Sequence, residues 1–122
     1  MLRTFRIIVH ATDYPSALRF YKEILDCPII MDWDRSSSEK GTVFELGFGE
    51  IEILAQASGE NYVQPQGFEI AIEVDDVDDF YRQIQDKGWP IRSPLVDKHW
   101  GHRTFSVNAP DNLRIIFFSV LE

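Results

Sequence analysis

Asp13-Tyr14-Pro15-Ser16-Ala17-Leu18-Arg19-Phe20-Tyr21-Lys22-Glu23-Ile24-Leu25 is the stretch that decides the fold, because it reads as a capped amphipathic helix that returns, with its flanking strands, in the second half of the chain. Asp13 is a good N-cap, and Pro15 falls in the first turn, where a missing N–H costs little. Ala17, Leu18, Tyr21, Ile24 and Leu25 recur at three-to-four spacing and leave Arg19, Lys22, Glu23 and Asp26 on the opposite side, so one face covers a sheet. The counterpart runs from about Asp76 to Lys87. The Asp75-Asp76 pair caps it, Val77, Phe80, Tyr81 and Ile84 form its apolar face, and Gly88 stops it as a left-handed C′ residue.

Outward from each helix the same elements follow. The first half carries apolar runs at Phe5–His10 before the helix and at Pro28–Trp33, Thr42–Phe48 and Glu50–Ala55 after it. The second half carries Phe68–Val74 before its helix and Pro90–Val96, Arg103–Val107 and Leu113–Leu121 after it. The reading is β-α-β-β-β twice, a duplicated module with a cleft expected between copies. Local echoes such as Phe20-Tyr21-Lys22 with Phe80-Tyr81-Arg82, and Pro28-Ile29 with Pro90-Ile91, sit at different offsets, so the element order carries the repeat.

Composition narrows the class. A chain of 122 residues with 44% hydrophobic content fits one domain that buries a core without staples. Cys27 is the single cysteine, which excludes an internal disulfide and reads as a small buried hydrophobe. Met1–His10 interleaves Arg3 and Arg6 with apolar residues and reads as neither leader nor membrane span, so a cytoplasmic location and no membrane partner are expected. Twenty acidic against twelve basic residues give a formal charge of −8, which repels a phosphate backbone and argues against nucleic acid.

The punctuation is equally legible. Arg35–Gly41 is polar and serine-rich and reads as a mobile loop between strands. Gln56–Gly67, with Gly59, Asn61, Pro65 and Gly67, separates the halves. The expected organisation is one domain over 1–122, with a first module over 1–57 and a second over 66–122. The acidic run Asp75, Asp76, Asp78 and Asp79 lacks the alternating ligands and glycine of a calcium loop and suits the positive end of a helix dipole.

His99-Trp100-Gly101-His102-Arg103-Thr104-Phe105, followed by Ala109-Pro110-Asp111-Asn112 and an apolar strand, resembles the ending of the glyoxalase/bleomycin-resistance/dioxygenase superfamily, the vicinal oxygen chelate proteins. Ile8–Leu25 resembles that superfamily's opening, and Ile70–Asp76 its second-module opening. Two positions depart from it: Ala109 stands where the family usually has Asp, and Asn112 where it usually has Gly. Asn tolerates positive φ, so the turn can survive. The resemblance implies an α+β fold in which two βαβββ modules form a cup-shaped mixed β-sheet around a ligand. It also implies association into a homodimer, which the edges and apolar surface of half-open sheets favour.

In metal-dependent members up to four His or Glu ligands come from the first and fourth strands of the two modules. Carried onto this chain, those positions are Arg6, Glu52, Glu69 and Ile116. Arg6 has no lone pair to give and Ile116 offers nothing, which leaves two carboxylates and too few ligands. No metal and no cofactor are therefore expected, with Arg6 standing between Glu52 and Glu69 in the metal's place. A slip along the first strand would present Ile8 or His10 instead, and only His10 could ligate. His99 and His102 flank a Trp-Gly loop and read as polar rim residues.

Period two points Arg6, Ile8, Glu52, Leu54, Glu69, Ala71, Ile116 and Phe118 to one side, apolar walls with a few charges, as in a small-molecule site. His10 lies on the same face, and Trp100 near the mouth could stack on a planar ligand; Trp33 and Trp89 read as edge packing. The expected function is a metal-free protein of the glyoxalase/bleomycin-resistance type that sequesters a neutral or cationic aromatic compound. The alternative is a lyase, isomerase or dioxygenase of the same superfamily, metal-dependent or using a cup glutamate as base.

Overall fold

The computed structural model of the chain describes residues 1–55 and 62–122. The chain divides into two compact units, Met1–Pro65 and Gln66–Glu122, and each holds one four-stranded sheet and its helix.

In the first unit, β1 (Arg6–Ala11) leads through α1 (Tyr14–Arg19) to β2 (Ile29–Ser36), β3 (Glu39–Leu46) and β4 (Gly49–Ala55), in the spatial order β1-β4-β3-β2. β1 lies parallel to β4, while β3 runs antiparallel to both β2 and β4. In the second unit, β5 (Ile70–Glu73) leads through α2 (Val77–Asp86) to β6 (Ser93–Asp97), β7 (His102–Ala109) and β8 (Leu113–Val120), in the order β5-β8-β7-β6 with the same pattern of parallel and antiparallel pairs. Both sheets are mixed and both follow the expected element order, so the α+β βαβββ fold stands.

The helices start where the aspartates put them. Asp13 Oδ1 accepts from the Ser16 N–H and Asp76 Oδ1 from the Asp79 N–H, each at 3.1 Å, satisfying N–H groups that have no partner inside the helix. Ser119 of β8 adds a second pin to α2: its Oγ donates to the Val74 carbonyl at 2.8 Å and accepts from the Val77 N–H at 3.0 Å. Gly88 ends α2 with φ of 82°, the left-handed conformation expected there.

The first helix departs from expectation in its second half. Phe20–Ile24 is a π-helical turn, in which the Leu25 N–H reaches back five residues to the Phe20 carbonyl at 3.0 Å. The wider turn lets the neighbours Phe20 and Tyr21 both bury completely, with Ala17 and Ile24 beside them. Asp26, at φ of 59°, closes the helix where α2 uses Gly88.

Arg35–Gly41 is no loop. β2 and β3 continue through it as a hairpin whose only turn residues are Ser37 and Ser38, with Asp34 paired to Lys40 and Ser36 to Glu39. Its polarity reflects a ladder that stands in solvent and is held by backbone hydrogen bonds. Of the expected inter-module segment Gln56–Gly67, residues 56–61 lie outside the described residues.

Each sheet buries one face under its own helix. The first core gathers Val9, Ala11, Ala17, Phe20, Tyr21, Ile24, Phe44, Ile51 and Ile53. The second gathers Val77, Ile84, Phe105, Val107, Leu113, Ile115 and Phe117, with the Phe105 ring 5.0 Å from Tyr81 and 5.2 Å from Phe117. Alternation along the strands sends every second residue to the other face, and that open face carries the chemistry.

Candidate functional site

On the first sheet the open face is ordered in rows by strand register. Arg6 of β1 pairs with Glu50 of β4, which pairs with Glu45 of β3; the next row is Ile8, Glu52, Val43 and Met31, and the third is His10, Leu54, Gly41 and Trp33. Arg6, Glu52 and His10, three of the residues expected to line the site, therefore share one face of one sheet.

Arg6 is held in a fork. Its Nε donates to Glu50 Oε1 at 2.9 Å and its Nη1 to Glu52 Oε1 at 2.8 Å. Those hydrogen bonds, to Glu50 first and Glu52 second, raise the guanidinium above its ordinary pKa. The Arg6 side chain is 38% exposed, against 13% for Glu52, so water still screens the pair. Glu50 was not anticipated as a site residue. It was nonetheless findable, because it stands two residues before Glu52 and so on the same face.

On the second sheet the corresponding rows are Arg114 with Asn108, then Ala71, Ile116 and Ser106, then Glu73, Phe118, Thr104 and Val96. Ile116 and Phe118 are on the open face as expected. Glu69 precedes β5, and its carboxylate meets Arg114 Nη1 at 2.8 Å. Arg6 is paired within the first module and Glu69 within the second. Arg114 was not anticipated, because its meeting with Glu69 depends on register across strands.

The histidines and tryptophans separate as well. His102 opens β7 and stacks on Phe118, with ring centroids 4.3 Å apart and planes 14° from parallel. His99 and the exposed Trp100 occupy the turn before it, which closes with Gly101 at φ of 94° and a hydrogen bond from the Gly101 N–H to the Lys98 carbonyl. Trp33, on edge strand β2, packs its ring over Gly41 of β3, and Leu54 also borders that glycine.

Neither half of the predicted ligand set suits a divalent cation. Arg6 presents N–H donors to Glu52, Ile116 has no donor atom, and Glu69 is tied to Arg114. Among the described residues, no three His, Cys, Asp or Glu side chains gather as a group that could hold a metal ion. Cys27 offers no nucleophile either, since burial first and the neighbouring Asp26 and Glu45 next push its thiol up to about 11.

A family model described as the Glyoxalase/Bleomycin resistance protein/Dioxygenase superfamily matches residues 5–117. Among solved structures, TioX from Micromonospora sp. ML1 superposes with a TM-score of 0.76 at 21% identity, covering 97% of this chain and 98% of TioX. TnmS3, an antibiotic binding protein from Streptomyces sp. CB03234, gives 0.76 at 17% identity over 98% of this chain and 97% of its own. A lactoylglutathione lyase from Agrobacterium tumefaciens gives 0.71 at 13% identity over 94% and 91%. At such identities the likeness is one of fold. No curated protein matches the chain. Among the described residues, no helix is long and apolar enough to cross a membrane.

Proposed function

We propose that this chain, which belongs to the glyoxalase/bleomycin resistance protein/dioxygenase superfamily, binds a neutral or cationic aromatic small molecule without a metal ion. The observation that carries the reading is the fork of Arg6 between Glu50 and Glu52, which sets a fixed internal cation at a position where metal-dependent members place a ligand.

The charge of the face supports the ligand class. One guanidinium, Arg6, stands among three carboxylates, Glu45, Glu50 and Glu52, on a chain of formal charge −8. Such a surface attracts a cation and repels a phosphate or carboxylate. Ile8, Leu54 and Trp33 supply the apolar contact that a small-molecule site needs on the open face of the first sheet. TnmS3, of like fold, is an antibiotic binding protein, so the fold is one that can hold a compound.

The same reading includes a homodimer. Ile29, Ile30 and Met31 on edge strand β2 are 44%, 46% and 50% exposed, an apolar edge that a second chain would cover. Light scattering at tens of micromolar should give twice the chain mass, and a monomer's mass would refute this part.

Calorimetric titration with 1-naphthylmethylammonium and 1-naphthoate tests the ligand class. The ammonium should bind more tightly, and Arg6→Ala should strengthen it further by freeing two carboxylates. Tighter binding of naphthoate, lost in Arg6→Ala, would make Arg6 a clamp for anions and reverse the reading.

A further inference from the structure

We propose that the second module carries a carboxylate-binding pocket of its own, in which the exposed Arg92 pairs with a monoanionic organic acid and Trp89, Pro90 and Ile91 wall in its apolar body. The pocket belongs to the second module alone and takes a ligand of opposite charge, so it stands apart from the binding reading above.

The pairing of the arginines points to it. Arg6 donates through Nε and Nη2 to Glu50 and through Nη1 to Glu52; Arg103 donates through Nε to Asp78 and through Nη1 to Asp97. Each of these guanidiniums has a carboxylate on two of its edges. Arg92 has only an uncharged acceptor, Asn108 Oδ1, which meets its Nη1 at 2.8 Å, and it has no ion pair among the described residues. Its Nε and Nη2 edge, the one that takes Glu50 in Arg6, is open to a carboxylate from outside. Arg114 stands opposite Asn108 in register but is paired with Glu69 at 2.8 Å, so the uncompensated charge is that of Arg92.

The surroundings hold this arginine in place. Its N–H donates to the Ser106 carbonyl at 2.8 Å. Trp89 Nε1 donates to the Asn108 carbonyl at 3.1 Å, and the Trp89 N–H to the Ile84 carbonyl at 3.3 Å. Asn108 is thus gripped at its backbone by Trp89 and at its side chain by Arg92. Trp89, Pro90, Ile91, Arg92 and Asn108 line a cavity of about 390 Å³, within the range of small-molecule sites. The turn itself does not require the arginine: Pro28-Ile29 echoes Pro90-Ile91, and Ile30 follows where the second module has Arg92.

The lining selects the ligand class. One guanidinium beside apolar walls matches one negative charge on an apolar body, and its planar fork fits a carboxylate bidentately. A phosphate dianion would keep an unmatched charge on a chain whose formal charge is already −8.

The test titrates 1-naphthoate and its uncharged analogue 1-naphthamide into wild type, Arg92→Met, Asn108→Asp and Arg82→Met by calorimetry. Arg92→Met should weaken naphthoate at least about tenfold and leave naphthamide within about twofold. Asn108→Asp keeps the shape of the pocket but supplies Arg92 with a carboxylate, and should weaken naphthoate as much. Arg82→Met removes one positive charge from α2, outside the pocket, and should leave naphthoate within about twofold. Circular dichroism checks that each variant folds; if Asn108→Asp does not, Arg92→Met decides alone. No binding of naphthoate to the wild type, an affinity unchanged in Arg92→Met, equal losses for both probes, or an equal loss in Arg82→Met overturns the proposal. Naphthoate held in this pocket survives Arg6→Ala, which separates it from the loss that would reverse the binding reading.

Discussion

The two modules share a backbone and differ in what they hang on it. Both begin with a strand parallel to the last strand of the module, both start their helix at an aspartate cap, and both leave that helix through a left-handed residue. On the open faces the charges swap. The first module puts Arg6 on its first strand and Glu50 on its last; the second has Glu69 just ahead of its first strand and Arg114 on its last. Arg6 is engaged through Nε and Nη1 by two carboxylates, whereas Arg114 meets Glu69 and its buried Nε has no hydrogen-bond partner among the described residues. The lesson is that strand pairing and helix capping constrain the buried side of a repeat, while its open side is free to carry different chemistry in each copy.

The largest effects should come from the shared part. Phe44→Ala and Phe105→Ala each empty a fully buried ring position and should cost about 3–5 kcal/mol in denaturant unfolding. Phe105→Ala should be the more severe, since Phe80, Tyr81 and Phe117 all border its ring. A loss under about 1 kcal/mol at either site would mean that the two cores are not equivalent.

Cap removal comes next. Asp13→Ala and Asp76→Ala should each cost about 1 kcal/mol, read as a lower denaturation midpoint. Asp76 should be the milder of the two, because Ser119, bonded to the Val77 N–H and the Val74 carbonyl, still pins the start of α2 when the Asp79 N–H loses its cap. At the other helix ends the modules should respond with opposite sign: Gly88→Ala destabilises and Asp26→Gly stabilises, each by about 0.5–1 kcal/mol, because only glycine occupies a left-handed conformation without penalty. Matching signs would break the proposed equivalence of Asp26 and Gly88.

The smallest effect at neutral pH belongs to Cys27. Burial pushes its thiol up from the ordinary 9.0 to about 11 in the folded chain, so its contribution to stability is complete below pH 9 and is lost as pH rises toward 11. Wild type and Cys27→Ser should therefore differ by a constant amount up to about pH 9, and the wild type should fall more steeply above it. At pH 8, alkylation of the folded chain should run about a hundredfold slower than that of a free thiol, following the thiolate fraction. Parallel pH profiles would contradict the raised pKa of this half-buried thiol.

The sequence carried the backbone well because caps, periodicity and turn residues are local signals. Asp13, Asp76, Gly88 and the alternation through Ile51-Glu52-Ile53-Leu54 each act within a few residues, and all appear in the structure as read. Asn112, at φ of 62°, keeps the turn its family usually makes with glycine, and Asp111 before it is left-handed too. The π turn at Phe20–Ile24 had no local signature, because it is set by packing two adjacent rings against one sheet. The hairpin at Ser37-Ser38 was hidden by a composition that suits a loop and an exposed ladder equally. Strand parity put Arg6, Glu52 and His10 on one face of the first sheet and Ile116 and Phe118 on one face of the second. Glu50 was within reach of the same parity as Glu52, whereas which carboxylate meets which guanidinium depends on register across strands, and that is why the pairing of Glu69 with Arg114 emerged only with the fold. Trp33 was invisible for the same reason, since its place depends on a glycine eight residues later and one strand away.

The claim that Arg6 stands in the metal's place is tested most directly by elemental analysis of the purified protein, expressed with transition metals in the medium and isolated without chelators. The account predicts no stoichiometric Ni, Zn, Fe or Mn in the wild type, because a guanidinium and an isoleucine stand at two of the four positions that the family resemblance assigns to metal ligands. About one metal ion per chain would contradict it.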